Sequence, residues 1–205
     1  MKIKVKIRSK NLGHYKVPNE VKGGICVDIG ANVGSFIEQH SDYFSVINYY
    51  EPFLECYNIC HDKFKNMKNV VGFNEGVYSE KTVHYLVRHQ NKDSGSSALN
   101  TEVVKNTGWN PEEVIQEVKD LETVLERVGG QIDFLKCDCE TSEYFIFNKK
   151  DLSKINYLAI ELHHQLGPEK ISELTNHIRR THDLVYRSDS YTRGTNSECM
   201  YKRKE

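Results

Sequence analysis

Short apolar runs alternate with amphipathic segments along most of the chain. The runs are Gly24–Ile29, Val46–Tyr50, Val70–Asn74, Ile132–Cys139 and Tyr157–Leu162. Runs that are apolar almost throughout predict strands buried on both faces, as in a mostly parallel sheet with helices on either side. The segments between them predict helices over about Gly34–His40, Leu54–Lys65, Leu121–Val128 and Pro168–Arg180. Gly129-Gly130 stops the third of these, and Pro168 suits the first turn of the fourth. Thr82–Arg88 alternates like an added antiparallel strand, and Val114–Val118 predicts another short one. Asp183–Arg187 and Glu198–Lys202 predict a closing antiparallel hairpin around a turn containing Gly194. Asn91–Asn100 is rich in Ser and Gly and predicts a loop near the site. At the N-terminus, Met1–Arg8 alternates apolar and basic residues, which predicts a half-buried strand and not a signal peptide. The expected fold class is α/β, with a mostly parallel central sheet and a C-terminal antiparallel hairpin. One domain is expected over residues 1–205, with a lead-in at 1–23, a core at 24–164 and the C-terminal helix and hairpin at 165–205.

Composition narrows the partners more than the fold. At 205 residues, 38% hydrophobic and 28% charged, the chain can bury a full core and should fold as a soluble globule. The net charge of −1 gives no electrostatic case for nucleic acid as a partner. No apolar run approaches the length of a membrane span. The cysteines are Cys26, Cys56, Cys60, Cys137, Cys139 and Cys199, and none forms a Cys-x-x-Cys pair. A zinc clip is therefore unsupported, and reduced thiols in a cytoplasmic protein are expected.

The chemistry gathers at the strand ends. The first run leads into Val27-Asp28-Ile29-Gly30-Ala31-Asn32-Val33-Gly34 and then a helix. Such a turn brings backbone N–H groups and a helix N-terminus against a ligand, and Gly30 and Gly34 leave room for it. The spacing Asp-x-Gly-x-x-x-Gly is not the dinucleotide fingerprint Gly-x-Gly-x-x-Gly. It reads as a pocket for S-adenosylmethionine (SAM), with Asp28 facing the cationic methionine part and Asn32 within the turn. Glu51, at the end of the second strand, can accept two hydrogen bonds from a ribose diol. Pro52-Phe53 would frame the adenine, and Glu75-Gly76-Val77 would lie beside its edge. The fourth strand ends Cys137-Asp138-Cys139-Glu140 and the fifth Glu161-Leu162-His163-His164. Residues two apart on an extended strand point the same way, so Asp138 with Glu140 and Glu161 with His163 should meet beyond the sheet edge. That group can deprotonate a hydroxyl or hold a hard metal ion, with Asp138, Glu140 and Glu161 as candidate ligands. Glu143 is placed to cap or orient the helix that follows.

These segments resemble the FkbM family of SAM-dependent methyltransferases. The resemblance rests on Val27–Gly34, Tyr50-Glu51-Pro52, Asn74-Glu75-Gly76-Val77-Tyr78-Ser79 and Ala159-Ile160-Glu161-Leu162-His163. Its most specific part is Phe134–Tyr144, similar to the family's Leu-Lys-x-Asp-x-Glu-Gly-x-Glu block. One residue departs from it: Thr141 stands where the family usually has Gly. The resemblance implies a Rossmann-like class I methyltransferase fold and methyl transfer, usually to an oxygen of a sugar or small natural product. SAM-binding residues are then expected at Asp28, Gly30, Asn32, Gly34, Glu51, Pro52, Glu75, Gly76, Val77 and Asp138. Asp138, Glu140, Glu161 and His163 are the expected catalytic residues, with His163 or Asp138 as base. An NAD(P) oxidoreductase lacks its fingerprint here, and a nucleic-acid methyltransferase lacks its Asn/Asp-Pro-Pro-Tyr/Phe block. The remaining alternative is a non-catalytic SAM-binding or protein-interaction module.

Overall fold

A computed structural model of the chain describes residues 17–79, 82–88, 97–98, 114–189 and 196–205. The alternating segment Met1–Arg8, most of Asn91–Asn100 and the Gly194 turn lie outside the described residues. Seven strands form the central sheet: β1 (Ile25–Ile29), β2 (Val46–Tyr50), β3 (Val70–Phe73), β8 (Ile132–Cys137), β9 (Ile155–His163), β10 (His182–Asp189) and β11 (Asn196–Arg203). Their order across the sheet is β10-β11-β9-β8-β1-β2-β3. The pairs β1·β2, β2·β3, β1·β8 and β8·β9 are parallel, and β11 runs antiparallel between β9 and β10. The expected C-terminal hairpin is present, and its second strand inserts between β9 and the edge strand β10.

Helices cover both faces, which is why the core strands read as nearly continuous apolar runs. α1 (Ser35–His40) and α2 (Leu54–Phe64) cover one face, where Ile37, Cys60 and Phe64 pack with Cys26, Ile47, Tyr49 and Phe134. α3 (Leu121–Arg127), α4 (Glu143–Phe147) and α5 (Pro168–Ile178) cover the other, packing Val124, Ile146, Phe147 and Leu174 onto Val27, Leu135, Leu158 and Ile160. Asp120 caps α3 by accepting from Thr123 N at 3.0 Å, and Pro168 occupies the first turn of α5 as its ring permits.

A second, four-stranded sheet was only half legible. It runs β4 (Gly76–Val77), β7 (Val114–Lys119), β5 (Thr82–Arg88), β6 (Ser97–Ala98). The alternating strands β5 and β7 pair antiparallel, as their pattern predicts. The two-residue strands carry no periodicity, and Ser97–Ala98 lies within the segment expected to be a loop.

A sheet whose order reverses at β1 has a topological switch point there. β1 connects onward to β2 on one side, while β8 arrives on the other. Ligands of open α/β sheets bind beyond the strand ends at such a point. Among the described residues, no helix is long and apolar enough to cross a membrane.

Candidate active site

Three left-handed residues shape the turn after β1: Gly30 (φ 78°), Asn32 (φ 52°) and Gly34 (φ 82°). A Cβ on Gly30 would lie 2.0 Å from the Asp138 carbonyl oxygen, and one on Gly34 would lie 2.5 Å from the Phe64 ring. Both glycines are thus required by backbone conformation and by close packing. The Asp138 N–H donates to the Ile29 carbonyl at 3.1 Å, so the ends of β1 and β8 are joined side by side.

Beneath this turn lies a buried ion pair. Asp28 and Lys136 are direct neighbours on β1 and β8. Lys136 Nζ stands 3.0 Å from Asp28 Oδ1 and donates to the Gly30 carbonyl at 2.7 Å. Asp28 is 0% exposed and Lys136 5%. Burial works against the ammonium, but Asp28 and Asp138 outweigh it and hold the Lys136 pKa above its ordinary value. The immediate partner of Asp28 is therefore a lysine of this chain, an interaction the sequence contained but did not reveal. Its consequence is to tie the Gly30 backbone to the sheet.

Glu51 is 3% exposed at the end of β2. Its Oε2 accepts from Asn32 N at 2.7 Å and its Oε1 from Phe53 N at 2.9 Å. A carboxylate has about four lone-pair sites, so each oxygen keeps one for a further donor. Burial pushes its pKa up to about 7, against the lowering effect of the two N–H groups. The side-chain oxygen of Asn32 is buried without a hydrogen bond. Pro52 is half-buried beside Glu51, and Asn74 Nδ2 donates to the carbonyls of Glu51 and Pro52 at 2.9 and 3.0 Å. Gly76 and Val77 lie buried in β4. Glu75 is engaged elsewhere: Arg127 grips its carboxylate at 2.5 and 3.2 Å while lying 4.3 Å from the Phe73 ring centre.

The acidic group forms differently from the expected route. β8 ends at Cys137, and residues 138–142 make a tight turn with Glu140 at φ 48° and Thr141 at φ 83°. Asp138 and Glu140 are therefore brought together by the turn, not by alternation along a strand. Glu161 and His163 do lie on extended β9. His163 is 1% exposed and central: Nδ1 is 2.8 Å from Glu143 Oε1, and Nε2 is 3.3 Å from Glu140 Oε2 and 3.9 Å from Asp138 Oδ1. Burial disfavours the imidazolium, but Glu143 and Glu140 outweigh it and hold the His163 pKa well above the usual histidine range. Glu143 Oε1 also accepts from Cys139 N at 3.0 Å, which fixes the turn and the ring together. Glu161 Oε1 accepts from Asn196 Nδ2 at 2.7 Å, and burial raises its pKa. Every expected catalytic residue thus stands at one rim, and Glu143 and Asn196 complete the group.

The FkbM methyltransferase domain matches residues 28–188. The chain belongs to the FkbM methyltransferase family. No curated protein matches the sequence. Among solved structures, methyltransferase FkbM from Methylobacillus flagellatus KT superposes with a TM-score of 0.52 at 14% identity, over 86% of this chain and 42% of that one. An rRNA methylase from Streptococcus thermophilus gives 0.52 at 11% identity over 91% and 92% of the two chains. Fibrillarin from Aeropyrum pernix, solved with natively bound SAM, gives 0.53 at 8% identity over 88% and 66%. This chain therefore spans less than half of the Methylobacillus FkbM structure. The shared fold is the Rossmann-like class I methyltransferase fold that the motifs implied.

Thr141 now has a measurable cost. The FkbM block usually carries Gly there, and the position sits in the left-handed region at φ 83°. A β-branched residue is strained in that region, and Thr141 Oγ1 is also buried without a hydrogen bond. Thr141→Gly is expected to stabilise the protein by about 1 kcal/mol, the strain relieved exceeding the added chain entropy. A urea midpoint that falls in the variant would contradict this account of the turn.

Proposed function

We propose that this chain binds SAM in the crevice above β1, β2 and β8 and methylates a hydroxyl of a sugar or other small molecule. The observation that carries the proposal is the placement of two groups side by side on one rim. One is the Gly30–Asn32–Glu51 cradle; the other is the acid–imidazole group of Asp138, Glu140, Glu161 and His163.

The residues present suit the cofactor. Glu51 retains one free lone-pair site on each oxygen for a ribose diol. The unpartnered Asn32 oxygen offers an acceptor within the turn. Gly30 and Gly34 bare the backbone, and Pro52, Gly76 and Val77 are the residues that would hold the adenine. Bound SAM supplies a methyl group already activated on a sulfonium. The protein's part is alignment and proton removal. Asp138, whose side chain is 32% exposed, is the carboxylate open to the crevice and takes the hydroxyl proton. Glu140 and Glu161 hold the acceptor, and the His163 ring, clamped by Glu143, stands 3.3 Å from Glu140 Oε2. The net charge of −1 favours a small acceptor over a polyanion such as RNA.

The test is incubation with isotopically labelled SAM and panels of monosaccharides, glycosides and phenolic compounds, beside structured RNA. Label transfer to a hydroxyl acceptor supports the proposal; transfer to RNA alone overturns the choice of acceptor.

Glu51 adds a pH signature. Its folded pKa of about 7 lies above the ordinary 4.5. The ligand-free fold therefore favours the protonated form: this contribution to stability is complete below about pH 4.5 and is lost as the pH rises through about 7. SAM binding to the carboxylate has the opposite dependence. Affinity should rise about tenfold from pH 6 to pH 8, with proton release, and Glu51→Gln should flatten both profiles. Calorimetry in buffers of different ionisation enthalpy reads the proton directly. A flat affinity profile in the native protein would remove Glu51 from the diol site.

A further inference from the structure

We propose that Asp138, Glu140 and the Nε2 atom of His163 form a site for one divalent first-row transition-metal ion, with Glu143 as a positioning residue. As a claim about binding the site stands alone; as a claim about the reaction it rests on the methyl-transfer reading above.

A cluster of acids is not a site by itself. The distinguishing feature here is the histidine among them. A carboxylate can only accept, so Glu143 Oε1, at 2.8 Å, fixes the proton of the imidazole on Nδ1. Nε2 points into the cluster, and an ion bound there takes the place of any proton on it. Nε2 is buried and makes no hydrogen bond, because Glu140 Oε2 at 3.3 Å lies outside hydrogen-bond geometry. Carboxylate–histidine–metal triads are built this way: the carboxylate sets the tautomer and the ring's far nitrogen ligates.

The spacing also fits. Two ligands each about 2.1 Å from a shared ion lie roughly 3.0–3.4 Å apart in octahedral or tetrahedral geometry. The Nε2 to Glu140 Oε2 distance is 3.3 Å, and Asp138 Oδ1, at 3.9 Å, needs only a small approach. The ligand atoms that already lie within 4.8 Å of one another are those of Asp138, His163 and the positioning residue Glu143, so Glu140 has to close on Asp138 for the two carboxylates to share an ion. Asp138 and Glu140 have side chains 32% and 25% exposed, which leaves an entry path, whereas His163 forms the closed floor. The sequence offered Glu161 as the third ligand. Its Oε1 accepts from Asn196, and the structure brings His163 into the group beside Asp138 and Glu140. One imidazole with carboxylates favours Mn2+, Fe2+, Co2+ or Zn2+ over Mg2+ and Ca2+. With an ion bound, Asp138 would act as ligand, the ion would lower the pKa of the acceptor hydroxyl, and the proton would pass to solvent as the oxygen takes the methyl group.

The full chain, stripped with EDTA, is titrated with MnCl2 while free Mn2+ is followed by electron paramagnetic resonance. The expected result is one Mn2+ per chain, largely retained against a hundredfold excess of Mg2+. Asp138→Asn, Glu140→Gln and His163→Gln should each weaken binding at least tenfold. Glu143→Gln should weaken it about 10–100-fold through loss of orientation. Glu122→Gln, at an exposed pair with Lys150, should leave it unchanged. Circular dichroism reports folding; should His163→Gln unfold, Asp138→Asn and Glu140→Gln, both on the turn, decide the matter. No saturable binding by folded protein, or native affinity in those two variants, overturns the site. SAM is titrated into the same stripped sample. SAM binding without Mn2+ binding overturns the ion site alone, and Mn2+ binding without SAM binding overturns the methyl-transfer reading alone.

Discussion

Lys136→Met is expected to destabilise the protein by about 3–5 kcal/mol, because it strands a buried charge. The ammonium meets Asp28 Oδ1 at 3.0 Å and the Gly30 carbonyl at 2.7 Å, and Asp28 has no exposure to water. Methionine fills much of the volume but leaves the carboxylate and the carbonyl without their donor. Restoring apolar balance should repair the fold without repairing the site. The double variant Asp28→Leu with Lys136→Met replaces the pair by side chains of similar volume and should regain most of the stability. Neither variant can hold Gly30, so both should bind SAM more weakly. Urea unfolding of the three proteins measures the first claim. A single variant within about 1 kcal/mol of the native protein would show that the pair does not carry the turn.

Asp138→Ala should lower turnover by about 10²–10⁴-fold while the protein stays folded. Asp138 is partly exposed, and its side chain carries no structural hydrogen bond among the described residues. Its backbone N–H still bonds Ile29 after the substitution. The loss therefore belongs to the chemistry, and it follows whether Asp138 accepts the proton or ligates an ion. The measurement is kcat and KM on the acceptor returned by the label-transfer screen, beside a SAM titration. Near-native kcat in a folded variant would remove Asp138 from the catalytic group.

The parallel sheet was legible because buried strands are apolar on both faces and stop at turn residues. β2, β5 and the start of α2 fall where the pattern puts them. β8 ends two residues early, since the left-handed Glu140 and Thr141 cannot continue a strand and nothing in residue type announced that conformation. Glu51, Asp138 and His163 stood out because polar groups at the ends of apolar strands lack a packing reason. Partners set by register were not legible. Lys136 was visible in its motif, but its place beside Asp28 depends on which strands become neighbours. Glu75 looked available until Arg127, from a helix far along the chain, engaged it. The same holds for Glu143, whose role appears only when α4 meets the end of β9.

Calorimetric titration of the purified protein decides whether the crevice above β1, β2 and β8 binds SAM. SAM and NAD+ are titrated separately, and Glu51→Ala is run beside the native chain. Saturable one-to-one binding of SAM, none of NAD+, and a large loss of SAM affinity in the variant are expected. A folded protein that gives no SAM binding would contradict the proposed function.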